Sequence, residues 1–443
     1  MFLLFTYRPE YEPTWRVKSY QNQITLNRLS NRESLQMAEY LLGSKRIGSS
    51  AEGVILDKTE GIPFFVEEFV KSFKNLNIIE ADGSVYHLSE DASSMKIPAT
   101  IHDVIMARVD ALPETAKNVL QIASVIEKEF NSELIKRVSA FQEEKIFTAL
   151  SDLKEAELIL ERGVPPHSTY VFRHALTRDV VNDSILARRK NELHNKIGEA
   201  IEDIYQDHLD VHYGLLANHF LEAENYVKAA QYSKLAAKKA QKAGALKDAI
   251  DYGKKLVCAL ESMPHTEDVD RKIIDARTSL GLYYSQTNIF ELSKEAVEPV
   301  IHLAKKHDYK RKIGQINAIM GVHTYAVEED VSKAADQLQE TIQIAGEVGD
   351  PISLVMASHW MGHVLADNCE FEQSLEYLNK SLEISTMANV LWGIAAQKSC
   401  IARTVYLYQG NVNVGFPMSC EGLEKAEESG DAYSKAEAHF SIG

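Results

Sequence analysis

Residues 320–350 read MGVHTYAVEEDVSKAADQLQETIQIAGEVGD, and this run contains the pattern from which the architecture of the chain can be predicted. It opens with Met320-Gly321, a bulky residue followed by one without a side chain, and Thr324 lies about one helical turn further on. An apolar stripe at helical spacing follows, formed by Ala335, Leu338, Ile342 and Ala345. Because residues three and four apart share one face of a helix, the run predicts two helices, and the glycine allows them to approach closely.

The same pattern returns at intervals of 40, 41 and 40 residues. The other bulky-small pairs, each with the residue that follows one turn later, are Leu280-Gly281 with Tyr284, Met361-Gly362 with Leu365, and Ile401-Ala402 with Val405. The units also end alike, at His307-Asp308, Gly349-Asp350, Ala388-Asn389 and Gly430-Asp431. Such recurrence indicates stacked structural units. The sequence therefore predicts an α-solenoid of helical hairpins over residues 206–443, in which the pairing of the first helices stays open.

The composition of the chain limits its partners and its compartment. Its 443 residues are enough for about two to four domains, and its net charge of -16 disfavours nucleic acid and anionic membrane surfaces as partners. No apolar run approaches the length of a membrane-spanning helix. The four cysteines lie far apart without a CxxC pair, which favours reduced thiols in a cytoplasm over a disulfide frame or a zinc site.

The first half of the chain mixes helical and strand-like segments. Residues 1–10, MFLLFTYRPE, predict a buried strand, because a short apolar run bounded by Arg-Pro is a strand signal. We expect helices at 32–42, 50–59 and 61–71, and a polar linker or hairpin at 81–97. Residues 98–205 predict helices near 101–111, 114–126, 131–139 and 142–156, followed by strands at 158–162 and 170–173.

Four motifs in a fixed order carry a family resemblance. They are FTYRPEY (residues 5–11), GIPFFVEEFVKS (61–72), IPATIHDVIMARVDALPETAKNVLQIASVI (97–126) and YVFRHAL (170–176). This order resembles the ATPase module of signal-transduction ATPases with numerous domains, in the bacterial version joined to a class III adenylate or guanylate cyclase. The repeats after it resemble tetratricopeptide repeats of a long type, with about 40 residues in each unit.

The resemblance implies a mainly α chain with five parts. These are the last core strand region of a truncated P-loop ATPase at 1–20, a helical lid subdomain with a Gly-x-Pro turn at 21–80, a linker at 81–97, a winged-helix subdomain at 98–205, and the tetratricopeptide-like solenoid at 206–443. Since Gly443 follows the beginning of another unit, without a capping helix, we expect the solenoid to be truncated at its C-terminus.

The same resemblance implies a nucleotide-sensing set. In this family an Arg after the core strand senses the terminal phosphate, the Gly-x-Pro turn packs on adenine, and a winged-helix His reaches the phosphates of ADP. Those roles fall on Arg8, on Gly61 and Pro63, and on His174. The sequence contains no G-x-x-x-x-G-K-[ST] and no apolar strand ending in Asp-Asp or Asp-Glu, so we expect an incomplete site with no cofactor of its own. ATP or ADP with magnesium would belong to an intact parent. The simpler interpretation makes Arg8 a strand-end surface charge and His174 a helix start.

Other clusters of polar residues are interpreted as structural. The pairs His359/His363 and His208/His212 have the i,i+4 spacing of zinc ligands on a helix, but without an HExxH motif that spacing is more typical of packing or of surface residues. No metal site is therefore predicted. The adjacent carboxylates Glu67-Glu68 are expected to be solvated, since neighbours on a helix point to different faces. No set of residues with catalytic spacing is found, so no catalytic residue is assigned.

The favoured hypothesis is a cytoplasmic regulatory scaffold that is not an enzyme on its own. The concave face of the repeats would bind a protein or peptide, and the first half would relay that event to a nucleotide-switch ATPase or effector. A second hypothesis is the distal fragment of a multidomain cyclase or ATPase that contributes to ATP or ADP binding. A third is a DNA-binding regulator, which the acidic helix QEEKIFTALSDLKEA at 142–156 disfavours.

Overall fold

A computed structural model describes residues 3–7, 11, 18, 21–43, 46–75, 78–82, 85–88, 100–163, 168–430 and 432–442. The chain forms two compact units whose segments alternate along the sequence. The first unit comprises residues 1–124, 144–162 and 171–184, and the second comprises 125–143, 163–170 and 185–443. Among the described residues, no helix combines the length and the apolarity that crossing a bilayer requires.

Up to residue 184 the chain alternates short helices with short strands. In order they are α1 (Asn31–Leu41), β1 (Arg46–Ile47), α2 (Ser49–Thr59), α3 (Pro63–Asn75), β2 (Ile79–Asp82), β3 (Val85–Leu88), α4 (Ile101–Asp110), α5 (Glu114–Ile126), β4 (Glu129–Asn131), α6 (Ser132–Val138), α7 (Glu143–Glu155), β5 (Ile159–Arg162), β6 (Thr169–Phe172) and α8 (Ala175–Asp183). The strands form two three-stranded sheets with the orders β1-β3-β2 and β4-β6-β5. In the first sheet β2 runs antiparallel to β3, and β1 runs parallel to it.

Capping residues in the sequence fix where two of these helices begin. Ser30 precedes α1 and accepts a hydrogen bond from the backbone N–H of Glu33, whose carboxylate accepts one from the N–H of Ser30. Thr100 and Asp103 repeat this reciprocal arrangement at α4. Because the first N–H groups of a helix have no partner within it, such boxes stabilise the predicted starts.

The core of the first unit lies between α1, α2, α3 and the β2–β3 hairpin. Phe69 and Phe73 on α3 are fully buried with ring centroids 5.7 Å apart, and Ile55 of α2 is fully buried in the same cluster. Tyr86 of β3 completes it from the sheet side. Burial of such side chains is worth about 1.5–3 kcal/mol each, so this cluster holds α3 in place.

The prediction of a buried strand at residues 1–10 is wrong for the part that is described. Residues 3–7 have no regular secondary structure, and Leu4 is 77% exposed. A strand is stabilised by hydrogen bonds to a neighbouring strand, and residues 3–7 belong to neither of the two sheets. The helices expected at 32–42, 50–59, 101–111 and 114–126 are confirmed to within two residues. In the segment at 81–97, residues 81–82 end the first strand of the β2–β3 hairpin and residues 85–88 form its second strand.

The second unit is a succession of helices from residue 187 to residue 442. They are α9 (Ala187–Ile204), α10 (Tyr213–Glu222), α11 (Tyr226–Lys242), α12 (Leu246–Glu261), α13 (Glu267–Gln286), α14 (Phe290–Val297), α15 (Ile301–Lys306), α16 (Lys310–Ala326), α17 (Val331–Val348), α18 (Pro351–Asp367), α19 (Phe371–Met387), α20 (Leu391–Ile401), α21 (Val412–Ser429) and α22 (Ala432–Ile442). A π-helical segment, Ala402–Leu407, continues α20.

Consecutive helices of the second unit pack as hairpins, and each hairpin packs on the next. The pairs are α10 with α11, α13 with α14, α16 with α17, α18 with α19, and α20 with α21. Helix α12 lies between the first two pairs and packs on both α11 and α13. The predicted α-solenoid of helical hairpins is confirmed.

The bulky-small pairs lie where the two helices of a hairpin meet. A β carbon added to Gly362 of α18 would lie 2.4 Å from Cγ of Leu378 on α19. At the same contact Ser374 donates its hydroxyl hydrogen to the carbonyl oxygen of Gly362 at 2.7 Å, and Ser293 makes the same bond to Gly281 at 2.7 Å. The glycines are therefore required by close helix approach, as the repeat pattern predicted.

The ends of the units also share a backbone conformation. Asp308, Gly349, Asn389 and Gly430 have φ of 45°, 64°, 50° and 72°, the left-handed conformation that ends helices. The motif at 349–350 does more, because the buried carboxylate of Asp350 accepts hydrogen bonds from Gln315 of α16 (3.0 Å) and Ser353 of α18 (2.6 Å). One turn thus joins two neighbouring hairpins.

A second left-handed series occurs inside the hairpins, and the repeat pattern did not predict it. It comprises Asn288, Glu329, Cys369 and Gly410, each seven or eight residues after the small residue of its unit. Three of the four are not glycine, so no common residue type marks these turns in the sequence.

Candidate functional site

The turn between α2 and α3 explains why Gly61 precedes Pro63. Gly61 has a φ of +73°, and a β carbon there would lie 2.2 Å from the carbonyl oxygen of Leu29. Its own carbonyl accepts a hydrogen bond from the N–H of Leu29 at 2.7 Å. Pro63 then begins α3, a position at which its missing N–H has no consequence. Only glycine fits this turn.

His174 lies at the start of α8 and faces the beginning of α3. Its ring centroid is 4.1 Å from that of Phe64, the residue after Pro63. Its Nε2 is buried and has no hydrogen-bond partner among the described residues. Burial lowers the pKa of His174, although Glu67 and Glu68 act in the opposite direction. The imidazole is therefore neutral at neutral pH, with an unused polar atom facing inward.

An ion-pair cluster of two carboxylates and two cations lies beside this histidine, and it is defined as Glu67, Lys71, Glu157 and Arg173. The ammonium group of Lys71 donates to Glu67 at 2.8 Å and also contacts Glu157. Arg173 lies 3.1 Å from Glu67 and 3.0 Å from Glu157. Burial opposes the ionisation of Glu67, but the hydrogen bond from Lys71 and the two positive charges outweigh it and lower its pKa. The hydrogen bond from Lys71 likewise lowers the pKa of Glu157.

The expectation that Glu67-Glu68 would be solvated is wrong. Glu68 is 2% exposed and pairs with Arg108 of α4, which also donates to the carbonyl of Ala156 at 2.5 Å. The two carboxylates do point to different faces, but each face packs against an element that supplies a cation. Arg108 is 40 residues from Glu68 along the chain, and Arg173 is 106 residues from its partner Glu67, so no local pattern indicates either pair.

The structure thus brings together three of the four residues assigned to nucleotide sensing. Gly61 and Pro63 shape the turn that leads into α3, and His174 packs on the first turn of that helix. Arg8 lies outside the described residues. Ligand atoms of Glu67, Glu68 and His174 approach within 4.8 Å, but both carboxylates already have cationic partners, which favours an ion-paired cluster over a metal site here.

The second unit carries a different candidate surface, the aromatic row, defined as Phe290 of α14, Tyr325 of α16 and Trp360 of α18. The ring centroid of Trp360 is 5.7 Å from that of Phe290 and 5.7 Å from that of Tyr325. All three side chains are only half-buried. Tyr325 also donates its hydroxyl hydrogen to Asp367 at 2.5 Å. Three successive hairpins therefore contribute to one partly accessible aromatic surface.

No protein-family model matches the chain. A segment of 206 residues, 45% of this chain, is 23% identical to an uncharacterized protein of Rhizobium meliloti, and the match spans 19% of that relative. Among solved structures, the chain is similar to a signal transduction ATPase with numerous domains and a tetratricopeptide repeat sensor from Pyrococcus horikoshii, at 12% identity and a TM-score of 0.36, over 94% of this chain and 62% of that chain.

Two further solved structures resemble the chain at a similar distance. Aspartyl phosphate phosphatase F from Bacillus subtilis is 11% identical with a TM-score of 0.37, over 89% of this chain and 79% of that chain. A Rap protein complexed with competence and sporulation factor is 10% identical with a TM-score of 0.36, over 76% and 96%. The helical hairpins of this chain are defined by the contacts between its own helices.

Proposed function

We propose that this chain is a cytoplasmic regulatory scaffold that binds a protein or peptide through its helical repeats. The observation that carries the proposal is the aromatic row, which crosses three successive hairpins and leaves each ring partly exposed. Stacked hairpins present long surfaces whose neighbouring units act together in binding. Tyr and Trp are the residues that most often dominate binding energy at protein interfaces.

Binding of the partner is proposed to regulate a second protein or domain. The partner occupies the concave face of the repeats, and the first half of the chain relays its presence to a nucleotide-switch ATPase or to an effector such as a class III cyclase. The lid subdomain at 21–80 and the winged helix at 98–205 are the parts proposed to move. Arg108, which joins α3 and α4 to the segment after α7, supports this, since one side chain connects three elements of the first unit.

Selection from a random peptide library against the full chain, followed by calorimetry on the selected peptides, tests the proposal. Trp360→Ala is expected to weaken binding at least tenfold, because loss of an aromatic anchor at an interface costs about 2 kcal/mol or more. Trp392→Ala is the matched control, since Trp392 is 44% exposed at the start of α20 and is not part of the aromatic row. Equal losses in both variants, or none in either, would contradict the proposal.

A second candidate function is the sensing of a nucleotide by the first unit. It is favoured by His174, whose buried Nε2 has no partner among the described residues and lies beside the Gly61-Pro63 turn. An imidazole N–H that has no partner can donate to a phosphate oxygen, whereas leaving it unpaired costs about 1–3 kcal/mol. The ligand would be ADP or ATP with magnesium, held only weakly because the sequence contains no P-loop.

Thermal unfolding of the full chain with and without magnesium-ADP tests this second function. A ligand that binds only the native state raises the melting temperature, and we expect a rise that His174→Asn abolishes. His302→Asn, a substitution of an exposed histidine on α15, should retain the rise. An unchanged melting temperature at millimolar ADP would argue against nucleotide sensing by this chain.

A further inference from the structure

Three possible metal ligands meet in the second unit. His359 and His363 lie one turn apart on α18, and Cys400 near the end of α20 faces them. One ligand atom of each lies within 4.8 Å of the others, and Sγ of Cys400 is 3.2 Å from Nε2 of His363. The sequence shows only the histidine pair, because the thiol lies 37 residues further along the chain.

A neighbouring side chain orients one of the histidines for binding. Nδ1 of His359 lies 3.0 Å from Oε1 of Gln397, a buried residue of α20. An amide oxygen only accepts hydrogen bonds, so Nδ1 donates and Nε2 carries the lone pair. Histidines that bind metals usually donate their other ring nitrogen to such an acceptor, which fixes both the tautomer and the ring orientation.

We propose that His359, His363 and Cys400 bind a divalent cation of the zinc type, with a water molecule as the fourth ligand. Two imidazoles and one thiolate form a donor set that zinc favours. In a tetrahedral site with Zn–S of about 2.3 Å and Zn–N of about 2.05 Å, sulfur and nitrogen lie about 3.6 Å apart. The observed distance of 3.2 Å between Sγ of Cys400 and Nε2 of His363 would need to lengthen only slightly to admit the ion.

The unmetallated site is a neutral, hydrogen-bonded cluster. Sγ of Cys400 lies 3.2 Å from Nε2 of His363, so the thiol donates its hydrogen to that nitrogen. Metal binding forms the sulfur–metal bond and releases that proton to the buffer, with no change of oxidation state. The proton and the metal therefore compete for the same sulfur and nitrogen atoms.

The two histidines are less completely buried than the thiol. Both histidines are half-buried, whereas Cys400 is 1% exposed. The nearby guanidinium of Arg403 already has other partners. Its Nη1 lies 3.4 Å from Oε2 of Glu437, and its Cζ lies 4.7 Å from the centroid of the Phe440 ring. The π-helical segment begins two residues after Cys400, and such segments often occur at functional sites.

Titration of the full chain with Co²⁺, followed by absorption spectroscopy and then by displacement with Zn²⁺, tests the proposal. We expect one ion per chain, with thiolate-to-cobalt charge transfer in the near ultraviolet that disappears as Zn²⁺ replaces Co²⁺. Cys400→Ser should abolish the charge transfer and weaken Zn²⁺ binding by at least about 100-fold. Gln397→Leu should retain the charge transfer and weaken binding by about 10- to 100-fold, as loss of an orienting partner does.

The control uses a thiol elsewhere in the same chain. Cys369 is exposed at the turn between α18 and α19, so Cys369→Ser should leave both the spectrum and the affinity unchanged. The spectrum of the unsubstituted chain decides the question even if Cys400→Ser fails to fold. Absence of charge transfer in that spectrum, or equal Zn²⁺ affinity in Cys400→Ser and the unsubstituted chain, would overturn the metal site without bearing on the peptide-binding surface.

Discussion

Acidification from about pH 7.5 to about pH 5 is expected to lower the free energy of unfolding by about 4 kcal/mol through one histidine pair, His194 of α9 and His219 of α10. Their Nδ1 atoms lie 2.9 Å apart, and the side chains are 8% and 3% exposed. One ring donates to the other, so the pair holds a single proton between the two nitrogens. Burial lowers the pKa of His194 to about 4 and, with the nearby His194, that of His219 to about 3.

The free energy of unfolding falls with pH because the folded and unfolded chains bind protons at different pH values. In the unfolded chain both histidines titrate near their ordinary pKa of about 6.5, whereas the folded chain resists protonation until about pH 4. Below pH 6.5 the unfolded state therefore binds more protons than the folded state. Each histidine then lowers the free energy of unfolding by about 1.4 kcal/mol for each pH unit of acidification. The stability is fully present above pH 6.5 and is lost as the pH falls towards 4.

Urea unfolding at a series of pH values measures this loss. The matched variant is His194→Leu with His219→Leu, because replacing both members of a buried pair by apolar residues leaves no unpaired polar group between them. The other buried histidines keep their own pH dependence in this variant, so the difference between the two curves isolates the pair. If the double variant loses as much stability as the unsubstituted chain, the pair does not resist protonation in solution.

The substitution Gly362→Ala is expected to destabilise the second unit by about 1–3 kcal/mol, while Gly346→Ala should stabilise it by about 0.5–1 kcal/mol. A β carbon at Gly362 would lie 2.4 Å from Cγ of Leu378, which is fully buried, so one of the two helices would have to shift. A β carbon at Gly346, on the exposed face of α17, would meet nothing within 4 Å. The same chemical change thus has opposite signs at two helical positions.

Thermal or urea unfolding of the two variants measures these effects in parallel. Gly346→Ala serves as the control for the general gain in helix propensity, which applies to both sites. Equal changes in stability at the two positions would mean that α18 and α19 do not approach as closely as the Gly362 carbonyl and Ser374 hydroxyl indicate.

The sequence predicted the repeat architecture well because its determinants are local. A glycine follows a bulky residue at Gly281, Gly321 and Gly362, and helical spacing shows which residues share a face with each. In the first unit the Gly61-Pro63 turn is a signal of the same kind, because the helix expected at 61–71 begins at Pro63. Where one turn of helix or one tight turn contains the whole signal, the expectation is confirmed.

Features that depend on distant partners could not be predicted in this way. Glu68 and Arg108 are 40 residues apart, and Cys400 is 37 residues from His363, so neither spacing matches a helical or strand period. The strand predicted at residues 1–10 is wrong over the described residues 3–7 for a related reason, since a strand is defined by the neighbour to which it bonds. The left-handed turns at Glu329 and Cys369 were hidden because neither residue type is typical of that conformation.

The way in which hairpins join also bears on how the second unit comes apart. Each hairpin is held by the one before it and the one after it, for example through the hydrogen bonds of Asp350 to Gln315 and Ser353. A linear array of this kind need not lose its structure in one concerted step, since a terminal segment can open while the middle remains closed. Protection against amide hydrogen exchange would then fall from the centre of the array towards its ends, and a partner bound across three hairpins would slow exchange in all three at once.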